Sequence, residues 1–145
     1  MPTERCRPLR ALGLALLMLA ACNAWGEKKS TGKPTNIELA QLPKFCYGRG
    51  WVPNADGPEF NMPPECGVGT NHYCSGLLHL VRAKSTTNKS TRRTELGLAE
   101  NDIRYTEEWT APYPSCSIRE HIQASKAEVK RLIALYDGMA GVSKK

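Results

Sequence analysis

Apolar residues recur at intervals of three and four residues in three segments of the second half of the chain. This spacing is typical of a helix that buries one face. The positions are Cys74, Leu77, Leu78 and Val81 in residues 71–84; Leu96, Ala99 and Ile103 in residues 91–109; and Val129, Leu132, Ile133 and Tyr136 in the last segment. No segment shows the alternation of a strand, so the pattern predicts an all-α protein.

Two capping boxes, in which a Thr or Ser is followed three residues later by a Glu, indicate where helices begin. Thr35 to Glu38 opens a short first helix, and Ser117 to Glu120 opens the last one. We expect Gly138 to end that last helix as a C′ glycine.

Residues 46–69 contain nine prolines and glycines. That density is incompatible with a long helix or a regular sheet and predicts a long loop. Cys46 and Cys66 indicate that the loop is ordered. The expected fold is therefore a small disulfide-stapled helical domain, made of a helical hairpin and a C-terminal helix, with a long Pro/Gly-rich loop.

The N-terminus is organised like an export signal. Arg5, Arg7 and Arg10 precede an apolar stretch from Ala11 to Ala21. The stretch is about half as long as the roughly 20 residues that span a bilayer, and its length is typical of a signal peptide.

The apolar stretch ends in Leu19-Ala20-Ala21-Cys22, which resembles the lipobox of bacterial lipoproteins. The resemblance implies that residues 1–21 are a signal peptide cleaved before Cys22, whose thiol then carries a diacylglycerol. By the same resemblance Asn23, which is not Asp, implies the outer membrane, with the protein facing the periplasm. A soluble periplasmic or secreted protein, cleaved near Ala24 or Gly26, is the alternative.

Composition divides the remaining chain into one domain with flexible ends. With 145 residues there is room for a single domain. Residues 22–35 are rich in Gly, Lys, Ser and Thr and predict a tether, residues 36–140 predict the helical domain, and residues 141–145 predict a disordered tail. The formal charge of +6 includes three arginines and Glu4 of the signal. The mature charge of about +4 does not favour a nucleic-acid partner.

Four cysteines remain for the domain once Cys6 and Cys22 are assigned to the signal and the lipid site. They are Cys46, Cys66, Cys74 and Cys116. An even number in an exported domain predicts two disulfides, and four cysteines allow three pairings that the sequence does not decide. We favour Cys46–Cys74 with Cys66–Cys116, because these bonds would fasten the loop to the helix at 71–84 and to the start of the last helix.

A metal-binding or enzymatic envelope protein that uses His72, His79 and the cysteines is the alternative interpretation. On a helix His72 and His79 share a face, but Cys74 points about 200° away from His72. The sequence also contains no paired carboxylates or cofactor motif beside these histidines. We therefore expect no metal, no cofactor and no catalytic residue.

Four short motifs resemble the leader region of bacterial exported proteins that contain tetratricopeptide repeats. They are Leu42-Pro43-Lys44-Phe45-Cys46, Asn71-His72-Tyr73-Cys74-Ser75-Gly76-Leu77, Leu80-Val81-Arg82-Ala83 and Asp102-Ile103-Arg104-Tyr105-Thr106. The resemblance covers residues 42–109. It implies a helical hairpin over residues 71–109, supports the Cys46–Cys74 pairing and favours binding to another protein.

Two groups of residues are candidates for binding. Five cations lie between residues 82 and 93 without an acid among them: Arg82, Lys84, Lys89, Arg92 and Arg93. They predict either a basic loop that binds anionic glycan or lipid, or a solvated turn. Tyr47 and Trp51 in the Pro/Gly-rich loop form either a recognition surface or a cap on the core.

The function expected from these features is that of a non-catalytic protein-interaction module in the bacterial cell envelope. Its acyl chains would contact the membrane, and its helices and loop would bind an envelope protein.

Overall fold

The computed structural model describes residues 32–142, with side chains as far as Asp137. The predicted signal peptide, the predicted lipidation site Cys22 and the first part of the tether lie outside the described residues. Within the described range no helix combines the length and the apolar character that crossing a membrane requires.

The described chain is helical and contains no β-strand, which confirms the predicted all-α fold. Its α-helices are α1 (Asn36–Leu39), α2 (Tyr73–Ser85), α3 (Lys89–Thr110) and α4 (Arg119–Val142). The Pro/Gly-rich segment contains four short 3-10 helices, at Lys44–Cys46, Pro58–Phe60, Pro64–Cys66 and Val68–His72. The long loop is therefore ordered, as predicted.

The predicted hairpin is formed by α2 and α3, which a three-residue turn at 86–88 connects. The Asn88 side chain caps α3 by accepting a hydrogen bond from the Thr91 backbone N–H at 2.9 Å. The apolar faces predicted for the three helices meet in one core, with Leu78 of α2, Ile103 of α3 and Val129 of α4 all buried. Helix α3 packs against both α2 and α4.

Both predicted boundaries of α4 differ from those in the structure. The helix continues through Gly138 to Val142, so the predicted stop at Gly138 is wrong. A glycine inside a helix lowers helix stability by about 1 kcal/mol relative to alanine. It ends the helix only where its backbone adopts the left-handed conformation. At the other end α4 begins at Arg119, and the Ser117 hydroxyl donates to the Glu65 carboxylate at 2.7 Å. Of the predicted tail at 141–145, residues 141 and 142 are helical and the others lie outside the described residues.

Candidate functional site

Both disulfides favoured by the sequence are present. Cys46 pairs with Cys74 and Cys66 pairs with Cys116, and all four residues are buried. A disulfide sulfur is neither a thiolate ligand nor a nucleophile. The four cysteines therefore hold the loop against α2 and against the segment that precedes α4.

His72 and His79 each have a separate carboxylate partner on α3. His72 Nδ1 lies 3.1 Å from Asp102 Oδ1, and His79 Nδ1 lies 2.6 Å from Glu95 Oε2. The described residues contain no group of three or more His, Cys, Asp or Glu side chains that could hold a metal ion. His79 therefore joins α2 to α3, and His72 joins the turn before α2 to α3. The two histidines do not lie at a common site.

Tyr73, the first residue of α2, is a buried polar residue. Its side chain is 0% exposed, and its hydroxyl lies 2.6 Å from His121 Nδ1 and 2.9 Å from Ser125 Oγ. Burial raises the pKa of Tyr73 to about 12, although the hydrogen bond with Ser125 acts in the opposite direction. These two contacts of the Tyr73 hydroxyl join α2 to α4.

The five cations of residues 82–93 do not form a basic loop, because only residues 86–88 are outside a helix. Arg82 Nε donates to Glu38 at 2.8 Å, and Lys84 Nζ lies 3.0 Å from Glu128. These two cations of α2 therefore hold α1 and α4 and are not directed at an anionic ligand. The predicted open basic loop is wrong for this half of the segment. The other three cations lie in the first two turns of α3.

Tyr47 and Trp51, the other predicted binding residues, pack against the core from the Pro/Gly-rich loop. The Tyr47 ring stacks on Phe60 at 6.1 Å between centroids, and its hydroxyl donates to the Leu39 carbonyl at 3.1 Å. Trp51 is half-buried under the Arg49 guanidinium, which lies 5.6 Å from the ring centroid. The arrangement matches the predicted cap on the core.

An exposed group of apolar and aromatic residues, which the sequence analysis missed, lies where the end of α3 meets the Val68–His72 turn. We call it the aromatic strip and define it as Val68, Trp109, Tyr113 and the half-buried Tyr105. Val68 is 82% exposed, Trp109 49% and Tyr113 41%. The rings of Tyr105 and Trp109 lie 5.7 Å apart, and His72 continues the row at 4.4 Å from Tyr105.

Glycines let the backbone lie directly beneath the aromatic strip. A Cβ atom added to Gly69 would lie 2.1 Å from the Cβ of Trp109, and one added to Gly67 would lie 2.5 Å from the Tyr113 ring. Gly67 also has a φ of +77°, which other residues rarely adopt. The two rings therefore rest on backbone, and Val68 lies between the two glycines in the chain.

Covalent and polar links fix the two sides of the aromatic strip. The Cys66–Cys116 disulfide joins the residue before Gly67 to the segment after Tyr113. Arg119 donates to the carbonyl oxygens of Thr110 at 3.0 Å and Tyr113 at 2.8 Å, which holds the turn after α3. The strip is therefore preorganised, with its rings presented on a rigid support.

A sequence signal for part of the aromatic strip does exist. Tyr105 and Trp109 are four residues apart on a helix and so share a face, and that face differs from the buried face that contains Leu96, Ala99 and Ile103. The approach of the Val68–His72 turn to this face has no such signal, because it depends on how the loop folds.

Comparison of the chain with protein-family models, with curated proteins and with solved structures found no match.

Proposed function

We propose that this protein is an exported lipoprotein of the bacterial cell envelope that binds another envelope protein through the aromatic strip. The proposal combines the export pattern and the lipobox-like Cys22 of the sequence with the exposed rings on the folded domain. Its acyl chains anchor the domain at the outer membrane, and the tether lets the domain face the periplasm. The protein performs no reaction in this proposal.

The observation that carries the proposal is the exposure of Trp109, Tyr113 and Val68 on a disulfide-fastened support. Large apolar side chains exposed together are typical of interaction surfaces, and Trp and Tyr are enriched among the residues that dominate binding energy. Because both sides of the strip are already fixed, little conformational entropy is lost when a partner covers it.

The two disulfides support the proposed compartment. Such bonds persist in oxidising environments such as the periplasm and are rare in the cytosol. One bond links the loop to α2 and the other links it to the segment between α3 and α4, and a reduced chain would lose the attachment of Gly67 to the segment after Tyr113.

The anchor is tested by the intact mass of protein purified from a Gram-negative host. We expect the mass of residues 22–145 plus three acyl chains, and thiol alkylation only after reduction. The Cys22→Ser variant is the control and should lack the acyl mass. An unlipidated wild-type protein would refute the anchoring part of the proposal without affecting the binding part.

The interaction surface is tested by placing a photoreactive benzoylphenylalanine at Val68 and crosslinking in whole cells. A matched control carries it at Leu135, which is exposed on α4. We expect a discrete adduct from position 68 that position 135 does not give and that the Trp109→Ala variant loses. The crosslinked protein, once purified, should bind wild type at least tenfold more tightly than it binds Trp109→Ala.

Equal adducts from positions 68 and 135 would show non-specific proximity and refute the proposed surface. Unchanged affinity of the purified partner for Trp109→Ala would refute it as well. Circular dichroism and the midpoint of thermal unfolding establish that the variant is folded before its affinity is compared.

A further inference from the structure

A second candidate site, independent of the aromatic strip, is a groove between the first turns of α3 and the last described turns of α4. Its volume is about 310 Å³, at the lower end of the range of about 300 to 1,000 Å³ typical of small-molecule sites. Leu96, Ile133 and Tyr136 form an apolar floor, and Lys89, Arg92 and Arg93 line the same groove.

Gly97 of α3 lines the groove. Gly97 lies inside a helix, where a glycine costs about 1 kcal/mol relative to alanine. A Cβ atom added to it would meet nothing within 4 Å. By contrast, a Cβ on Gly76 of α2 would lie 3.0 Å from Ile103, so that glycine is explained by the close packing of α2 and α3. Gly97 has no such neighbour, so the groove offers open space beside it.

The cations at the groove have few acidic partners. Arg92 is held by the carbonyl oxygens of Ala83 and Thr86, with its guanidinium 4.3 Å from the centroid of the Tyr136 ring. Arg93 is 3.9 Å from Asp137, and both side chains are largely exposed. Lys89 makes no ion pair with any residue that the structure describes. Glu100, the other acid lining the groove, is two helical turns beyond Arg93.

We propose that this groove binds a free medium-chain fatty acid, with its acyl chain on Leu96, Ile133 and Tyr136 and its carboxylate between Lys89 and Arg93. Charge complementarity selects an anionic headgroup, because three cations and one nearby acid surround that end of the groove. The apolar floor selects an alkyl chain. The small volume favours one short chain over the two long chains of a phospholipid.

The experiment titrates decanoate into the full chain bearing Cys22→Ser, which cannot be acylated, and follows binding by calorimetry. We expect one decanoate per chain, and about tenfold weaker binding to the double variant Lys89→Gln/Arg93→Gln, since each exposed charge pair contributes a few-fold. Arg104→Gln, which removes an exposed cation of α3 paired with Glu108, is the matched control and should bind as the parent does. Decyltrimethylammonium, with the same chain and the opposite charge, should not bind.

Gly97→Leu tests the groove separately from its charge. The new side chain should fill the open space and abolish decanoate binding, while the midpoint of thermal unfolding stays the same or rises. Unchanged decanoate binding by Gly97→Leu would place the ligand elsewhere and overturn the proposal. Equal binding of decyltrimethylammonium would also overturn it, as would binding only to anionic phospholipid vesicles, which would indicate a membrane-facing surface.

Discussion

The two glycines inside α2 and α3 provide a matched test of how closely the hairpin packs. Gly76 faces α3, and a Cβ added there would lie 3.0 Å from Ile103 Cγ1, 3.1 Å from Asp102 Cβ and 3.3 Å from the Ile103 backbone nitrogen. Gly97 faces open space. Replacement by alanine therefore adds the same methyl group to two helices, and only at Gly76 must the neighbouring atoms shift to accommodate it.

The expected free energies of unfolding follow from two opposing effects. Replacing a helical glycine by alanine stabilises the helix by about 1 kcal/mol at either position. Overpacking typically costs about 1–3 kcal/mol, and at Gly76 the contacts include backbone and the buried Ile103, which cannot easily move. We expect Gly97→Ala to be more stable than wild type by about 0.5–1 kcal/mol and Gly76→Ala to be less stable by about 1 kcal/mol.

The assay is urea unfolding of the oxidised protein, with the midpoint and slope compared among the three proteins. Equal slopes show that the compactness of the two states is unchanged, so that the midpoints report stability. The two variants should differ by about 2 kcal/mol, which corresponds to roughly 8 °C in thermal midpoint for a domain of this size. If Gly76→Ala proves as stable as Gly97→Ala, the close approach of α2 and α3 at Gly76 is refuted.

Three further predictions concern the disulfides, the buried tyrosine and an ion pair. Replacing Cys66 and Cys116 together by alanine should lower the free energy of unfolding by about 4 kcal/mol, because the two residues are 50 apart in the chain. A loss below 1 kcal/mol in urea unfolding would contradict a structural role for this disulfide. Tyr73→Phe should remove the ionisation near pH 12 from the phenolate absorbance titration. It should also lower the free energy of unfolding by about 1–3 kcal/mol. A wild-type titration in which all tyrosines ionise near pH 10 would contradict the burial of Tyr73. Hydrogen bonds from Arg131 and Lys84 lower the pKa of Glu128 from 4.5 to about 2. The stability that the ionised Glu128 side chain contributes is therefore present above pH 4.5 and is lost as the pH falls towards 2. Glu128→Gln should remove about 1 kcal/mol of that pH dependence after allowance for solvent screening, and an unchanged stability profile between pH 2 and 5 would exclude the pairing.

The helices could be predicted because their signals are local. Apolar spacing depends only on residues a few positions apart, and α2 and α3 begin and end within a few residues of the predicted bounds. Gly138 shows the limit of such reasoning. A glycine is compatible with both a helix end and a helix interior, and only the continuation of α4 to Val142 distinguishes them.

The candidate sites could be predicted far less well, because they depend on contacts between distant segments. The cations of residues 82–93 look alike in sequence, but Arg82 and Lys84 find carboxylates on α1 and α4, while Lys89 and Arg93 line the groove. Tyr47 shows the same effect, because its partners Phe60 and Leu39 come together only when the loop folds back.

By itself the sequence determined the helical class of the domain and the order of its helices, because periodicity and capping act over a few residues. It also indicated the favoured pairing of Cys46 with Cys74 and of Cys66 with Cys116, which the structure confirms. Tertiary structure alone decided that Gly67 and Gly69, on either side of Val68, lie against Tyr113 and Trp109, and that Gly97 lines a groove between α3 and α4. These features arise from packing between segments far apart in the chain, and no local pattern of residues contains that information.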